Sequence, residues 1–272
     1  MRVVTKALQI SRSNLIAKKK KRPKYYHKKG DKELLTIINT FVAERSSYGY
    51  RRITALLNHY FKRKGDPLVN HKRIYRIMKQ NKLLFKKPKS RPKKAHTGKV
   101  ATMRSNTRWC SDSFVVQCLN GDKVHVAFSI DACDREAMRY IASTIGIDGQ
   151  AIRDLMVETV EYRIGKPLPK DSIQWLSDNG SCYTARETVE FGRKLGLDIR
   201  TTPTYSPESN GLSEAFVKTF KRDYVYPGNI GNAKIVMEQL PLWFEDYNER
   251  APHKALKMLS PRGYIRKTKL AG

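Results

Sequence analysis

Residues 106–119 read NTRWCSDSFVVQCL, and this stretch decides the class of the fold. Aromatic and β-branched residues run through it, so it reads as a strand, with one acid, Asp112, inside it. Working outward, DKVHVAFSIDA (122–132) and AMRYIASTI (137–145) read as two further strands. GQAIRDLMVETVEYRIG (149–165) then reads as a helix, SIQWLSD (172–178) as a strand, TARETVEFGRKLG (184–196) as a helix and DIRTTPT (198–204) as a short strand. The order β-β-β-α-β-α-β predicts an α/β unit, a mixed five-stranded sheet flanked by helices. Two more helices are expected over 208–222 and 233–248.

Upstream of this unit the chain is of another kind. The sequence of 272 residues carries 54 Lys+Arg against 25 Asp+Glu, a formal charge of +29. Residues 1–104 hold 31 basic and 4 acidic residues, whereas residues 105–272 hold 23 and 21, so nearly all of the excess lies in the first part. A polycation joined to a near-neutral globular part points to a nucleic-acid partner, because neutralising phosphates releases condensed counterions. That imbalance excludes an ordinary metabolic enzyme, and a hydrophobic content of 40% excludes wholesale disorder.

Within the basic part, Leu34, Leu35, Ile37, Ile38, Phe41 and Val42 follow helical spacing. Ile53, Leu56, Leu57 and Tyr60 do so after a turn at Ser47-Tyr48-Gly49, and Ile74, Ile77 and Met78 after Asn70, a good N-cap. Three short helices are implied. His71, Lys72, Arg73 and Arg76 would project from the start of the third, which could lie in a major groove, and Arg51 and Arg52 of YGYRRITALL join them as candidate DNA contacts. The plainer alternative is a three-helix bundle with a solvated basic face. Nearer the start, Val4, Ala7 and Leu8 share a helical face and the pattern resumes at Leu15 and Ile16, the outline of a partial helix-turn-helix, with Ser11 or Ser13 able to cap its second helix. KKKKRPK (18–24) and KKPKSRPKKAHTGK (86–99) read as solvated or phosphate-contacting arms. The four cysteines, Cys110, Cys118, Cys133 and Cys182, form no CxxC pair, so no zinc site is expected. No apolar run of about 18 residues marks a membrane span, and an intracellular protein with reduced thiols is expected.

Three acids stand at informative places. Asp112 lies in the first strand, Asp178 ends the fourth in WLSDNG, and Glu214 lies on the later helix in SPESNGLSEAFVKTFK; 65 residues separate the first two and 35 the second two. A hard divalent cation such as Mg2+ takes oxygen ligands and shares them with substrate phosphates. Two such ions about 4 Å apart serve phosphodiester chemistry by activating an attacking hydroxyl and stabilising the leaving oxygen. Each acid has a bland alternative: a strand-edge charge for Asp112, a turn former before Asn179-Gly180 for Asp178, one solvated charge among many for Glu214. Asp131 in FSIDACDRE is the main rival, although with Asp134 it reads better as a turn. Lys218 and Lys221, four and seven residues beyond Glu214, would share its helical face and grip DNA, or merely solvate the helix. Asn210, in the turn-rich SPESNG, is a further DNA candidate. Trp109 and Trp175 read as sheet packing, and His253 as structural or surface rather than a base.

The segment resembles the integrase-type catalytic core of bacterial insertion-sequence transposases, in particular the downstream-frame protein of the large family whose elements encode two overlapping frames. It is similar in core to retroviral integrase. WCSDSF, LSDNGSCYTA and SPESNGLSEAFVKTFK carry the three acid-bearing motifs. YGYRRITALL with VNHKRIYRIMKQNKLL is similar to the family's helix-turn-helix region, and FEDYNERAPHKALKMLSPRGY to its carboxy-terminal signature. Two departures matter. No cysteine precedes Cys110, so there is no His-His-Cys-Cys zinc module of the retroviral kind. The carboxy-terminal stretch reads Arg250-Ala251-Pro252-His253 where the family more often places Arg and Pro together.

The resemblance implies an RNase H-like α/β catalytic core with a mixed five-stranded sheet, preceded by an all-α helix-turn-helix-type DNA-binding region. The expected organisation is a basic amino-terminal segment (1–30), a helical DNA-binding domain (31–85), a basic linker (86–104), the catalytic core (105–226) and a carboxy-terminal helical extension (227–272). It implies a DDE triad of Asp112, Asp178 and Glu214, which also ligate Mg2+, two ions per active site, with Mn2+ as a substitute. The implied activity is that of a DNA transposase that binds the terminal inverted repeats of its element and cleaves and joins strands by a copy-out route. The alternatives are an RNase H-like nuclease without strand joining and a non-catalytic DNA-binding regulator with a decayed core. Expected partners are double-stranded DNA, both element ends and target, further copies of the chain as a dimer or larger assembly on DNA, and an upstream-frame product by fusion or association; no membrane is expected. A bacterial cytoplasm, with nucleoid association, is the expected setting.

Overall fold

A computed structural model of the chain describes residues 2–11, 13, 26–85, 102–166, 172–202 and 211–270. Five strands, β1 (Arg108–Gln117), β2 (Lys123–Asp131), β3 (Ala137–Ser143), β4 (Ile173–Ser177) and β5 (Leu197–Thr201), form one sheet in the order β3-β2-β1-β4-β5. The first three are antiparallel neighbours, while β4 runs parallel to β1 and β5 parallel to β4. Local chemistry accounts for the change of direction. Between β1 and β2 stands Asn120-Gly121, with Gly121 at φ +94 and the Cys118 N–H donating to the Asp122 carbonyl at 2.9 Å, a hairpin turn that returns the chain at once. A parallel partner for β1 needs a crossover, and helix α5 (Gly149–Arg163) supplies it, its start capped by the Asp148 carboxylate, which accepts the Ala151 N–H at 2.8 Å.

The sheet is covered on both faces. On one, Cys110, Phe114 and Phe128 meet helix α8 (Gly211–Phe220) and helix α9 (Ala233–Glu249). Phe216 of α8 lies 4.4 Å from Phe128 between ring centroids, and Phe220 lies 4.6 Å from Phe244 of α9. On the other, Trp109, Trp175 and Leu197 meet α5, through Leu155 and Met156. Trp109 and Trp175 are opposed across the parallel β1–β4 pair, wholly buried, with centroids 6.5 Å apart; the expected packing role holds. Helix α6 (Ser181–Thr184) and helix α7 (Arg186–Lys194) connect β4 to β5. Residues 227–272, set apart in the sequence as an extension, share the core of the sheet: Val236, Leu240, Phe244 and Tyr247 of α9 belong to the cluster around Phe128. Helix α10 (Pro261–Lys269) follows, capped by Ser260.

The basic part contains the three expected helices, α2 (Asp31–Glu44), α3 (Tyr50–Lys64) and α4 (His71–Gln80), around Leu34, Ile38, Ile53, Leu57 and Ile74. Asn70 caps α4 as expected, accepting the Lys72 N–H at 2.9 Å. Before them stands α1 (Arg2–Ala7), with Val4 and Leu8 exposed; Leu15 and Ile16, the KKKKRPK stretch, residues 86–101 of the linker and Asn210 lie outside the described residues. Helix α8 departs from a simple amphipathic reading: after Phe220 it continues as a π-helical segment, Lys221–Val225, which buries Asp223, Tyr224 and Val225. Among the described residues, no helix is long and apolar enough to cross a membrane.

Candidate active site and nucleic-acid interface

Strand alternation sets the carboxylates. Cys110 and Phe114 of β1 belong to the core on the α8 side, so Asp112, between them in step, points to that face too. Leu176 of β4 belongs to the same core, which gives Asp178, two residues on, the same side. The parallel register pairs Trp109 with Trp175 and Cys110 with Leu176, and carrying it on brings Asp112 alongside Asp178 where the two strands end their pairing. Both carboxylates act on one buried hydroxyl: Tyr183 is pushed upward by burial first, with the charges of Asp112 and Asp178 adding to it. Alternation and the extended register thus put both acids on the α8 side of the sheet.

Each is held by the backbone. Asp112 Oδ1 accepts the Ser113 N–H at 2.7 Å, and Asp178 Oδ1 accepts the Gly180 N–H at 3.0 Å. The turn-forming reading of Asp178 therefore holds, and Asn179 secures the same turn by donating to the Thr202 carbonyl at 2.9 Å. Gly180 suits the turn, since a Cβ there would stand 3.1 Å from Asp178 Oδ1.

Glu214 lies in the first turn of α8, exposed, between Ser213, which is buried, and Phe216, which lies on the sheet. Its helix packs through Phe216 and Phe220 on the sheet face that carries Cys110 and Phe114. It does not complete a cage: among the described residues, no three His, Cys, Asp or Glu side chains are close enough together to hold a metal ion. The rival acid Asp131 stands elsewhere. It ends β2 and forms the expected turn with Asp134, but both are fully buried rather than solvated, with Arg163 of α5 bonded to Asp134 and Glu136 and 3.5 Å from Asp131.

The chemistry of the donors suits a hard cation. Asp112, Asp178 and Glu214 offer only oxygen, and the neighbouring thiol of Cys110 is buried and pushed up to about 12, so no thiolate competes. Beside the acids, Lys218 is exposed four residues past Glu214, whereas Lys221 is half-buried over the Phe114 ring at 5.6 Å, and burial lowers its pKa.

The candidate DNA contacts of the helical unit divide. Arg51, His71 and Lys72 are exposed at the adjoining starts of α3 and α4, and Arg51 and His71 line a cavity of about 400 Å3 with Asn58, Asn70 and Met258. Three others are engaged in ion pairs within the protein. Arg73 and Arg76 pair with Asp31 at 2.8 Å each and fasten α4 to α2. Arg52 pairs with Asp223 at 2.7 Å and lies 3.4 Å over the Tyr48 ring. Ser47 also donates to Asp223, and Arg45 to Asp246, so these residues dock the helical unit on the carboxy-terminal helices. His253 is half-buried against Tyr247, in keeping with a structural role.

Sequence reasoning missed Ser111 and Tyr183, whose hydroxyls meet 3.1 Å apart beneath the two aspartates. A serine at an inward-facing strand position was the available signal.

Residues 29–91 match the HTH-like domain family, and residues 103–207 and 195–261 both match the integrase core domain family. The chain is 46% identical over 242 residues to the transposase InsD for insertion element IS2A/D/F/H/I/K of Escherichia coli, covering 87% of this chain and 79% of that one. It is equally similar to the InsD transposase for insertion element IS2 on the F plasmid of Escherichia coli strain K12. Among solved structures it resembles a chain of the simian T-cell lymphotropic virus intasome in complex with PP2A regulatory subunit B56 gamma, with a TM-score of 0.51, 14% identity, and coverage of 76% of this chain and 70% of that one. The five-stranded mixed sheet is thus the RNase H-like sheet of an integrase core.

Proposed function

The chain belongs to the integrase-core transposases of insertion elements, enzymes of the polynucleotidyl-transferase class that move DNA, and we propose that Asp112, Asp178 and Glu214 are its DDE triad, holding two Mg2+ ions while the terminal inverted repeats of an element are cleaved and joined. What supports this reading is strand alternation and parallel register, which put Asp112 and Asp178 on one side of the β1–β4 pair, the side on which the helix bearing Glu214 packs. Bound there, the ions supply the Lewis acidity that attack on a phosphodiester requires.

The protein's own groups do the rest. Gly180 and Ser113 N–H groups orient the aspartates. Lys218, exposed on the turn after Glu214, meets the DNA backbone at the cleavage point. Arg51, His71 and Lys72 contact DNA from the helical unit, and the end of the element lies between them and the triad. Water attacks first to leave a 3′-hydroxyl, which then attacks a target phosphodiester with no covalent protein intermediate. Two ends must be held together, so a dimer or larger assembly forms on DNA, and association with an upstream-frame product adds to end recognition.

The purified chain, incubated with a labelled double-stranded element end and Mg2+, should yield 3′-hydroxyl ends and joined products. Products that are cut but never joined would favour a hydrolytic nuclease, and intact DNA bound with high affinity would favour a regulator.

A further inference from the structure

The hydroxyl pair beneath the aspartates has no place in the strand chemistry itself. Ser111 is wholly buried and Tyr183 is 2% exposed, in an apolar layer with Trp109 and Trp175. A hydroxyl pair in such a layer gives less than a phenyl ring and a methyl group would by area alone, because both groups leave water. What it adds is direction, since a hydrogen bond fixes two backbones at a set distance.

The pair spans the two chain segments that matter. Ser111 immediately precedes Asp112 and points to the opposite face of β1, so its bond lies under the strand and away from any DNA. Tyr183 hangs from the other segment: the Gly180 carbonyl accepts the Tyr183 and Thr184 N–H groups at 3.0 Å, and the Gly180 N–H is itself bonded to Asp178. From Asp178 to Asp112 there is one hydrogen-bonded turn, one ring, one hydroxyl pair and one peptide. We propose that Tyr183 is a positioning residue which, through its bond to Ser111, holds the segments bearing Asp112 and Asp178 at the separation a divalent cation requires. The inference rests on the assignment of those aspartates to a metal site.

Binding of Mn2+ to the full chain, followed by electron paramagnetic resonance, tests it with Tyr183→Phe, Ser111→Ala and the double variant. Each single change should raise the Mn2+ concentration for half-saturation about tenfold, and the double variant should add little, since either change breaks the same bond. Strand joining should recover when Mn2+ is saturating. Unchanged half-saturation in Tyr183→Phe would overturn the proposal, as would a loss of joining that saturating Mn2+ does not restore and that tracks a lowered unfolding temperature. Asp112→Asn serves as a separate control: wild-type Mn2+ binding in that variant would sink the metal assignment itself, whatever Tyr183 does.

Discussion

His253 shows how a single residue can report on the fold. Its ring packs against Tyr247, and its Nε2 is buried with no hydrogen-bond partner. Burial, helped by the charges of Arg52 and Arg135, lowers its pKa from 6.5 to about 4. The unfolded chain therefore binds a proton that the native chain refuses, so the stability this residue gives is present above about pH 6.5 and is lost as pH falls toward about 4. His253→Gln should flatten the pH dependence of the unfolding temperature over that window, and an unchanged slope would assign it to other groups. Asp223 acts in a lower window. Burial raises its pKa, but Arg222, Arg52 and Ser47 outweigh that, so its contribution is present above 3.8 and lost only as pH falls further. Asp112 and Asp178 stood out in the sequence by their places in and at the end of strand-like runs, and strand alternation adds that both lie on the α8 side of the sheet.

Among the elements, the joint between α5 and the turn after β2 is the most exposed to a single change. Arg163 there neutralises Asp134 and Glu136, and all three side chains are nearly or wholly inaccessible. Arg163→Met should cost about 3–5 kcal/mol in a denaturant titration, because it strands buried carboxylates; a loss below about 1 kcal/mol would mean that water already reaches them. A second packing limit lies where α7 meets β5. A Cβ on Gly192 would stand 2.5 Å from Ile199 Cδ1, so Gly192→Ala should lower stability by about 1–3 kcal/mol, and an unaltered unfolding temperature would show that Ile199 can move aside. Strands and helices were readable from apolar spacing and from caps such as Asn70. The acids after β2 were legible as a turn but not as a buried one, because the arginine that neutralises them lies a helix away. The π-helical turn after Phe220 left no local pattern either; it follows from burying Asp223 and Tyr224 together against the helical unit.

For the molecule as a whole, charge tells most. The split in charge between residues 1–104 and the rest was plain in the sequence, and it falls between the HTH-like match at 29–91 and the integrase-core match at 103–207. The docking of the two was not readable, since Arg45–Asp246 and Arg52–Asp223 join residues far apart in the chain. Binding to element ends should weaken by at least about 10²-fold between 50 and 200 mM salt, and a flat dependence would show that the basic part is not the contact. The triad can be tried on the same DNA by mapping products of Asp112→Asn, Asp178→Asn and Glu214→Gln, each with Mg2+ and a labelled end. All three should bind the end as the wild type does while cleavage and joining fall by on the order of 10³-fold. Wild-type joining by any one of them would remove that carboxylate from the site and contradict the assignment.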